Sequence, residues 1–425
     1  MASIWDFSES AQLMYQLISI PFALIFYCLA TNGYLSLIQR YIYLGVGGFS
    51  LAVISMGWYS AVLFVSVIMS TLLIYFVDSQ KIHWRIFIVQ MLWQSFWHML
   101  LLFRLYWQEE PADPRLLLML SSLMLLTQRV TSVSMDLEEG KVIHPRFRGR
   151  ISTSHLLPYM CYTLSFVCLL GGPLCPYDQF LSFVQNIQQN PPPSPLHRVS
   201  LRLLWVVVLE VIKYVLIFFL KASSVNLNNF SGLLWMWSLS LVLKITYYSH
   251  WALSECLNNA IGLGFCGNRL TGLQCWNGLS DGELWITETS CRLSEFTRRW
   301  NGTTAEWLRR LIHQRCQTFP LGLTFGFSAL WHGLHPGQVK GFFFWAVSVK
   351  ADYQLHNLLS PRLTSPWIRK VFRCFSWIQT QMVMACVIIT IELRHVTWSF
   401  YVNYVSISSL IYILTVCLSA ALPSC

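Results

Sequence analysis

Charged residues are scarce in this sequence. They make up 11% of its 425 residues, whereas hydrophobic residues make up 55%. A soluble domain usually carries about 25% charged residues, so this chain has too few charges to cover a water-facing surface. No charge occurs between Glu9 and Arg40, or between Arg40 and Asp78. Because about 20 apolar residues suffice to cross a bilayer, the sequence predicts an all-α, polytopic membrane protein with about ten to twelve membrane segments.

The sequence also lacks the patterns of several other protein classes. Its excess of ten positive charges forms no aromatic-interleaved basic patch, so no nucleic-acid partner is expected. Basic residues in loops that fix membrane topology, or that meet anionic lipid headgroups, explain the excess better. CxxC spacing is missing among the loop cysteines Cys256, Cys266, Cys275 and Cys291. We therefore predict no structural metal and no obligatory disulfide framework.

No internal repeat of the transporter kind is visible along the chain. The apolar pattern stops once for a long stretch, from Ser254 to about Arg299. We interpret this stretch as a polar loop between spans, within a single domain that covers residues 1–425.

Two glycine motifs match the patterns of soluble enzymes but lack the required surroundings. Gly262, Gly264 and Gly267 spell GxGxxG, although a dinucleotide site needs a strand before the motif and a helix after it. Ser280 is the serine of a GxSxG motif, but the apolar strand that precedes a nucleophile elbow is missing. Both stretches are predicted to be loops.

Polar residues interrupt two of the apolar helices. Glu210 and Lys213 are neighbours on one helix face, and they are compatible equally with a functional site and with a local ion pair. Gln90, Gln94 and His98 form a polar stripe that should face the protein interior. This stripe is compatible equally with helix packing and with the lining of an internal tunnel.

A histidine, His332, lies within the almost wholly apolar stretch "FGFSALWHGLHPGQVKGFFFW", Phe325–Trp345. It follows Trp331 and precedes a glycine- and proline-rich break, where backbone can line a cavity but cannot face lipid. Histidine suits general-base catalysis, and burial among aromatic rings favours its neutral, proton-accepting form. His335 shares roughly the same face, but no third metal ligand has suitable spacing. The site is predicted to hold no metal.

A second polar cluster lies upstream in "FTRRWNGTTAEWLRR", Phe296–Arg310. Asn301 begins a formal glycosylation sequon, or it is an amide donor near a reacting carbonyl. The two interpretations conflict, because a glycan would block the amide. Arg298 and Arg299 are either topology signals or bidentate clamps for phosphate groups.

The stretches "SALWHGLHPGQ" and "RRWNGTTAEWLRR" resemble the membrane-bound O-acyltransferase family, whose pattern places a histidine in a Trp-His-Gly-x-x-Pro-Gly element and an asparagine upstream. The match gives those roles to His332 and Asn301. A closer likeness, to a member that acylates a secreted peptide, is carried by "SSLMLLTQRVTSVSMDLEEGK", "LLGGPLC" and "KITYYSHWAL".

The resemblance implies a multi-pass enzyme of the endoplasmic reticulum. It would transfer a medium-chain acyl group, octanoyl, from octanoyl-CoA to a serine hydroxyl of a peptide hormone precursor. His332 would be the general base, and Asn301 would bind the thioester carbonyl or orient the donor. Transfer would be direct, with acyl-CoA as a co-substrate and no permanently bound cofactor.

The fold would then enclose a tunnel in which the two substrates meet. Phe325 and Trp345 are expected to limit acyl length, and Arg298 and Arg299 to hold the CoA phosphates. Further tunnel residues are expected to be Trp300, Trp331, Gln94 and His98.

Two other functions remain open from the sequence. Lysophospholipid acyltransferases of the same family resemble the chain around His332, often with tyrosine where this chain has Gln338. A polytopic transporter or channel is also compatible with the many spans.

Overall fold

The computed structural model of the chain describes residues 2–77, 79–142, 153–222, 230–267, 275–282, 284–362 and 365–393. Regular structure within these ranges is helical, and no strand occurs in them. The all-α class expected from the composition is confirmed. The chain divides into two compact units, one of residues Met1–Val206 with His250–Ser280 and one of Val207–Ser249 with Asp281–Cys425.

The first unit is built on long apolar helices. Its helices are α1 (Ala2–Thr31), α2 (Leu37–Met56), α3 (Ser60–Phe76), α4 (Ser79–Trp107), α5 (Pro114–Glu138), α6 (Thr153–Thr163), α7 (Phe166–Leu169) and α8 (Tyr177–Asn186). Two further helices, α9 (Leu196–Ala222) and α10 (Phe230–Ile261), have residues in both units. The core of the first unit contains fully buried Phe26, Leu44 and Leu123.

Local signals set several helix boundaries in this unit. Ser36 forms a capping box at the start of α2: its hydroxyl accepts from the Gln39 N–H, and the Gln39 side chain accepts from the Ser36 N–H. Such reciprocal bonds satisfy backbone donors that a helix start leaves without partners. Between α2 and α3, Gly57 adopts a φ of 60° at the head of a 3₁₀ turn, Gly57–Tyr59. Gly57 therefore marks the break that divides the uncharged run after Arg40 into two helices.

The second unit contains the shorter helices α11 (Leu284–Glu288), α12 (Leu293–Arg299) and α13 (Gly302–Leu308), followed by a π-helical turn, Arg309–His313. Three helices complete it: α14 (Pro320–Trp331), α15 (Pro336–Leu359) and α16 (Pro366–Leu393). Proline begins α14 and α15, where its missing N–H has no helical partner to lose. Phe296 and Met384 lie fully buried in the core of this unit.

Six stretches of the described residues are long and apolar enough to cross a membrane. They are Gln12–Thr31, Leu37–Phe76, Lys81–Trp107, Pro114–Glu138, Leu196–Ala222 and Pro366–Leu393. The expected ten to twelve segments included shorter apolar runs. The apolar run of residues 156–170 is divided between the short helices α6 and α7, and the apolar run of residues 401–422 lies outside the described residues.

The polar region from Ser254 to Arg299 contains more helix than its composition indicates. Helix α10 continues to Ile261, because Cys256, Leu257 and Ala260 remain buried beyond the point where the apolar pattern ends. Helices α11 and α12 follow. The single domain expected over residues 1–425 stays a prediction.

Candidate active site

His332 is positioned by the sharp end of α14. Its backbone N–H donates to the carbonyl of Ser328 at 3.0 Å, and it is the last residue with helical backbone angles. Gly333 and Leu334 then take positive φ values of 108° and 60°. The Leu334 N–H closes the turn on the carbonyl of Ala329 at 3.0 Å, as left-handed residues commonly do at helix ends. The break predicted after His332 is thus a tight reversal between α14 and α15.

His332 and His335 have different surroundings. His335 is 4% exposed, and its Nδ1 accepts from the N–H of Gly337 at 3.2 Å at the start of α15. That hydrogen bond caps the helix and occupies a lone pair that a metal would need. The ring of His332 instead packs against Trp331 and Phe342, each with ring centroids 5.0 Å away.

Asn301 connects two short helices. Helix α12 ends where the Trp300 N–H donates to the carbonyl of Phe296 at 2.8 Å, and α13 begins where the Asn301 carbonyl accepts from Ala305 at 2.9 Å. Between them Asn301 adopts a left-handed conformation, with φ 47° and ψ 59°. Asparagine tolerates this conformation better than most residues, so the local sequence allows an abrupt change of direction.

Asp281 contacts the two residues that follow Asn301. Its backbone carbonyl accepts from the Gly302 N–H at 2.6 Å, and its carboxylate accepts from the Thr303 hydroxyl. The side chain is nearly inaccessible at 3% exposure. Burial raises the pKa of the Asp281 carboxyl to about 6, although the hydrogen bonds from Thr303 act in the opposite direction.

A second buried carboxylate fixes the other end of α12. Asp352, on α15 and 1% exposed, accepts from the backbone N–H groups of Leu293 and Ser294 at 3.3 and 3.2 Å. These donors have no partner within the helix, and a carboxylate also matches the positive end of the helix dipole. The element that carries Asn301 is therefore attached directly to the helix that follows His332.

One cavity of about 400 Å³ collects most of the predicted site residues. This volume lies within the range of about 300–1,000 Å³ that is usual for small-molecule pockets. The predicted residues that line it are Arg298, Trp300, Asn301, Phe325, Trp331, His332 and Trp345. All lining residues belong to the second unit.

Three predicted residues do not line this cavity. Arg299 is exposed. Gln94 and His98 are buried on α4, in the first unit, and their assignment to an acyl-CoA tunnel stays a prediction. The neighbouring member of their stripe, Gln90, exchanges hydrogen bonds with the Ser66 hydroxyl at 2.6 Å and the Ser66 carbonyl at 3.1 Å, which is a helix-packing role.

The Glu210–Lys213 pair and the GxSxG stretch lie outside this cavity. Lys213 and Glu210 form an ion pair with each other at 2.7 Å. The GxSxG stretch that contains Ser280 is a loop, as predicted. Within the described residues no group of three or more His, Cys, Asp or Glu side chains could hold a metal ion, and the prediction that the site uses none remains to be tested.

Several lining residues that received no role from the sequence carry titratable side chains. Arg309 and His313 lie on the π-helical turn, a rare local structure that is frequent at functional sites. The Tyr247 hydroxyl donates to the Glu392 carboxylate in the wall of the same cavity. A charge at the end of an apolar run, such as Glu392, is the signal that could have identified this pair.

Beside the cavity, a buried polar network supports Trp300. Lys244 is 0% exposed, and its ammonium donates to Glu288 at 2.6 Å and to Gln381 at 3.2 Å. The ammonium also lies 5.9 Å from the ring of Phe296, which stacks on Trp300 at 5.7 Å. The network thus fixes an aromatic pair whose outer member lines the cavity.

Comparison with known proteins gives a family match over most of the chain. The model of the MBOAT, membrane-bound O-acyltransferase family, matches residues 46–389. Membrane-bound ghrelin O-acyltransferase of Rattus norvegicus is 38% identical over 390 residues, which cover 90% of this chain and 89% of that protein. The Mus musculus protein of the same name is 39% identical over 388 residues, or 89% of each chain. Membrane-bound glycerophospholipid O-acyltransferase 1 of Homo sapiens is 25% identical over 375 residues, 80% of this chain and 74% of that protein.

Proposed function

The chain belongs to the membrane-bound O-acyltransferase family, as its motifs predicted, and on this premise we propose that it moves octanoyl from octanoyl-CoA to a serine hydroxyl of the ghrelin precursor, proghrelin. The observation that carries the proposal is the shared cavity, in which His332 and Asn301 meet an aromatic wall. The two relatives named for ghrelin acylation, each covering about nine tenths of the chain, support a peptide as acceptor.

The proposed reaction is a direct transfer of the acyl group from the sulfur of CoA to the oxygen of the acceptor serine. The serine oxygen attacks the thioester carbonyl carbon while His332 accepts the hydroxyl proton. The new C–O bond forms, the C–S bond breaks, and the proton passes from His332 to the departing CoA thiolate. Asn301 donates to the carbonyl oxygen as it gains negative charge, work for which one hydrogen-bond donor contributes about 10²–10³ in rate. No acyl-enzyme is required, because a thioester is already activated.

The aromatic wall suits an acyl chain. Burial of each CH₂ group contributes about 0.8 kcal/mol, so an apolar cavity binds octanoyl through its length. Phe325 lies 5.6 Å from Trp345 between ring centroids, and Trp345 stacks on Phe342 at 6.2 Å. The indole N–H of Trp345 donates to the Thr297 hydroxyl at 2.8 Å. Because this indole is fixed, we propose that Phe325 and Trp345 limit the length of the acyl group.

Positive side chains suit the CoA end of the donor. Arg298, Arg309 and His313 line the same cavity, and arginine binds phosphate groups with two parallel hydrogen bonds. We assign the CoA phosphates to Arg298 and Arg309, and the same role for Arg299, which does not line the cavity, stays a prediction. Acyl-CoA is a co-substrate in this scheme, and no cofactor stays bound between cycles.

The sequon at Asn301 is better explained by the catalytic proposal than by glycosylation. A glycosylated asparagine belongs to an exposed loop, whereas Asn301 lines a cavity and the Thr303 hydroxyl donates a hydrogen bond to Asp281.

We place the enzyme in the endoplasmic reticulum membrane, where a secreted precursor and cytosolic acyl-CoA reach opposite sides of one multi-pass protein.

A second candidate function is acyl transfer to a lysophospholipid. It is favoured by the relatives that act on glycerophospholipids, such as the human protein at 25% identity. Their lower identity and shorter coverage make this the weaker candidate. Membrane lipids contact the protein in either case.

One competition assay separates the two acceptors. Purified protein receives labelled octanoyl-CoA together with an N-terminal proghrelin peptide and a lysophospholipid. We expect label on the peptide, and none on a matched peptide whose acceptor serine is replaced by alanine. Label on the lysophospholipid alone would make the second candidate correct.

A further inference from the structure

Asp281 is a buried acid that the proposed reaction does not use. It is 3% exposed and directly follows Ser280, the serine of the GxSxG motif. Asp281 accepts two hydrogen bonds from one short segment. Its backbone carbonyl accepts from the Gly302 N–H at 2.6 Å, and its carboxylate accepts from the Thr303 hydroxyl. Both partners directly follow Asn301 in the chain. The acid therefore acts on the turn that presents Asn301 to the cavity.

The turn needs an external support of this kind. Asn301 has a φ of 47°, in the left-handed region that few non-glycine residues adopt, although asparagine adopts it more readily than most. Such conformations persist where the surrounding structure imposes them. On the N-terminal side, Asp352 anchors α12 through Leu293 and Ser294. Asp281 supplies a corresponding anchor after Asn301, so the segment is held at both ends.

We propose that Asp281 is a positioning residue of the acyl-transfer site, which orients the Asn301 amide by holding Gly302 and Thr303. This inference rests on the proposed acyltransferase function, but not on which acceptor is used. Asp281 itself does not line the cavity and touches no substrate in this scheme. Burial raises the pKa of the Asp281 carboxyl to about 6, which means that the ionised carboxylate lowers the stability of the fold. A role in folding alone therefore does not explain this acid. Groups with such perturbed pKa values concentrate at functional sites.

The test compares variants that remove the hydrogen bond with variants that keep it. Asp281→Ala removes the acceptor, and Thr303→Val removes the donor while it preserves side-chain shape. Asp281→Asn and Thr303→Ser keep an oxygen in each place. Ser280→Ala is the matched control, because its side chain is adjacent but outside the cavity. For each purified protein, kcat and the KM for octanoyl-CoA are measured with the acceptor that the unmodified chain prefers.

We expect Asp281→Ala and Thr303→Val to lower kcat by about 10²-fold, the loss that a misplacement of about 1 Å can produce. The KM for octanoyl-CoA should change little, and Asp281→Asn, Thr303→Ser and Ser280→Ala should stay close to the unmodified chain. A merely structural role would lower the amount of folded protein without this split between kcat and KM.

Two outcomes would overturn the inference. One is a Thr303→Val protein with normal kcat, which remains informative even if Asp281→Ala does not fold. The other is failure of Thr303→Ser to restore the kcat lost in Thr303→Val. Absence of acyl transfer by the unmodified chain, to peptide and lysophospholipid alike, would instead contradict the proposed function. The two failures are therefore distinguishable.

Discussion

Acyl-chain length provides the most quantitative prediction of the proposed pocket. Phe325 lies on α14 and lines the cavity next to the indole of Trp345, with 5.6 Å between their ring centroids. Replacement of Phe325 by alanine removes a whole ring from the wall. The space should admit a longer acyl chain, so decanoyl-CoA should gain on octanoyl-CoA.

The size of the gain follows from burial of the two additional methylene groups. At about 0.8 kcal/mol each, they contribute about 1.6 kcal/mol, or about 15-fold in the ratio of kcat/KM for decanoyl over octanoyl. Phe325→Leu leaves more of the wall in place and should give a smaller shift. Large-to-small changes of a buried phenylalanine also destabilise a protein by about 3–5 kcal/mol. The prediction therefore concerns a ratio, which does not depend on the amount of active protein.

The assay supplies both donors in one tube and measures the two acyl-peptides by mass. Phe343→Ala is the matched control, because Phe343 is adjacent to the cavity residue Phe342 but is 71% exposed and outside the cavity. It should leave the ratio unchanged. The reasoning is refuted if Phe325→Ala keeps the octanoyl preference of the unmodified chain, or if Phe343→Ala shifts the ratio equally.

Three further predictions concern charged groups. The folded-state pKa of Asp281 is raised from 3.8 to about 6, so protonation stabilises the fold at low pH by about 3 kcal/mol at 1.36 kcal/mol per pH unit. This contribution is lost as pH rises from the unfolded-state pKa to the folded-state pKa, and about 2 kcal/mol of the loss falls above pH 4.5. Asp281→Asn should lack this loss in thermal unfolding scans from pH 4.5 to 8, and equal pH profiles would contradict the prediction. Arg309→Ala should raise the KM for octanoyl-CoA up to about fivefold at low salt, since exposed charge pairs contribute about 1 kcal/mol or less; an unchanged KM across a salt series would remove it from the CoA site. Lys244→Met should destabilise the protein by about 3–5 kcal/mol, because it removes the buried ammonium from the Glu288 carboxylate and leaves the neutral Tyr248 hydroxyl as a donor to it. Thermal unfolding should show partial recovery in the double variant with Glu288→Gln.

The sequence predicted well those features that depend on local composition. Long uncharged runs are enough to indicate membrane helices, and the glycines around His332 are enough to indicate a chain reversal there. The spacing of Asn301 and His332 identified two residues that line one cavity. These signals are local or belong to a family motif, so no tertiary contact was needed to detect them.

Features that depend on a partner helix could not be predicted in the same way. Gln90, Gln94 and His98 indicate a buried polar face, but only the presence of Ser66 on α3 shows that Gln90 is used in packing. Likewise, nothing near Asn301 in sequence points to Asp281, which reaches it from a separate loop. A polar stripe or an isolated acid has no function until the structure shows what it contacts.

The central claim is that His332 accepts the proton of the attacking alcohol. Its most direct test is single-turnover transfer of labelled octanoyl from octanoyl-CoA to a proghrelin peptide by purified His332→Ala protein. His335→Asn is the matched control, because it changes the neighbouring histidine but keeps a good acceptor at the start of α15. We predict that His332→Ala folds and binds octanoyl-CoA but forms no octanoyl-peptide, whereas His335→Asn remains active. Transfer by His332→Ala at the rate of the unmodified chain would contradict the account.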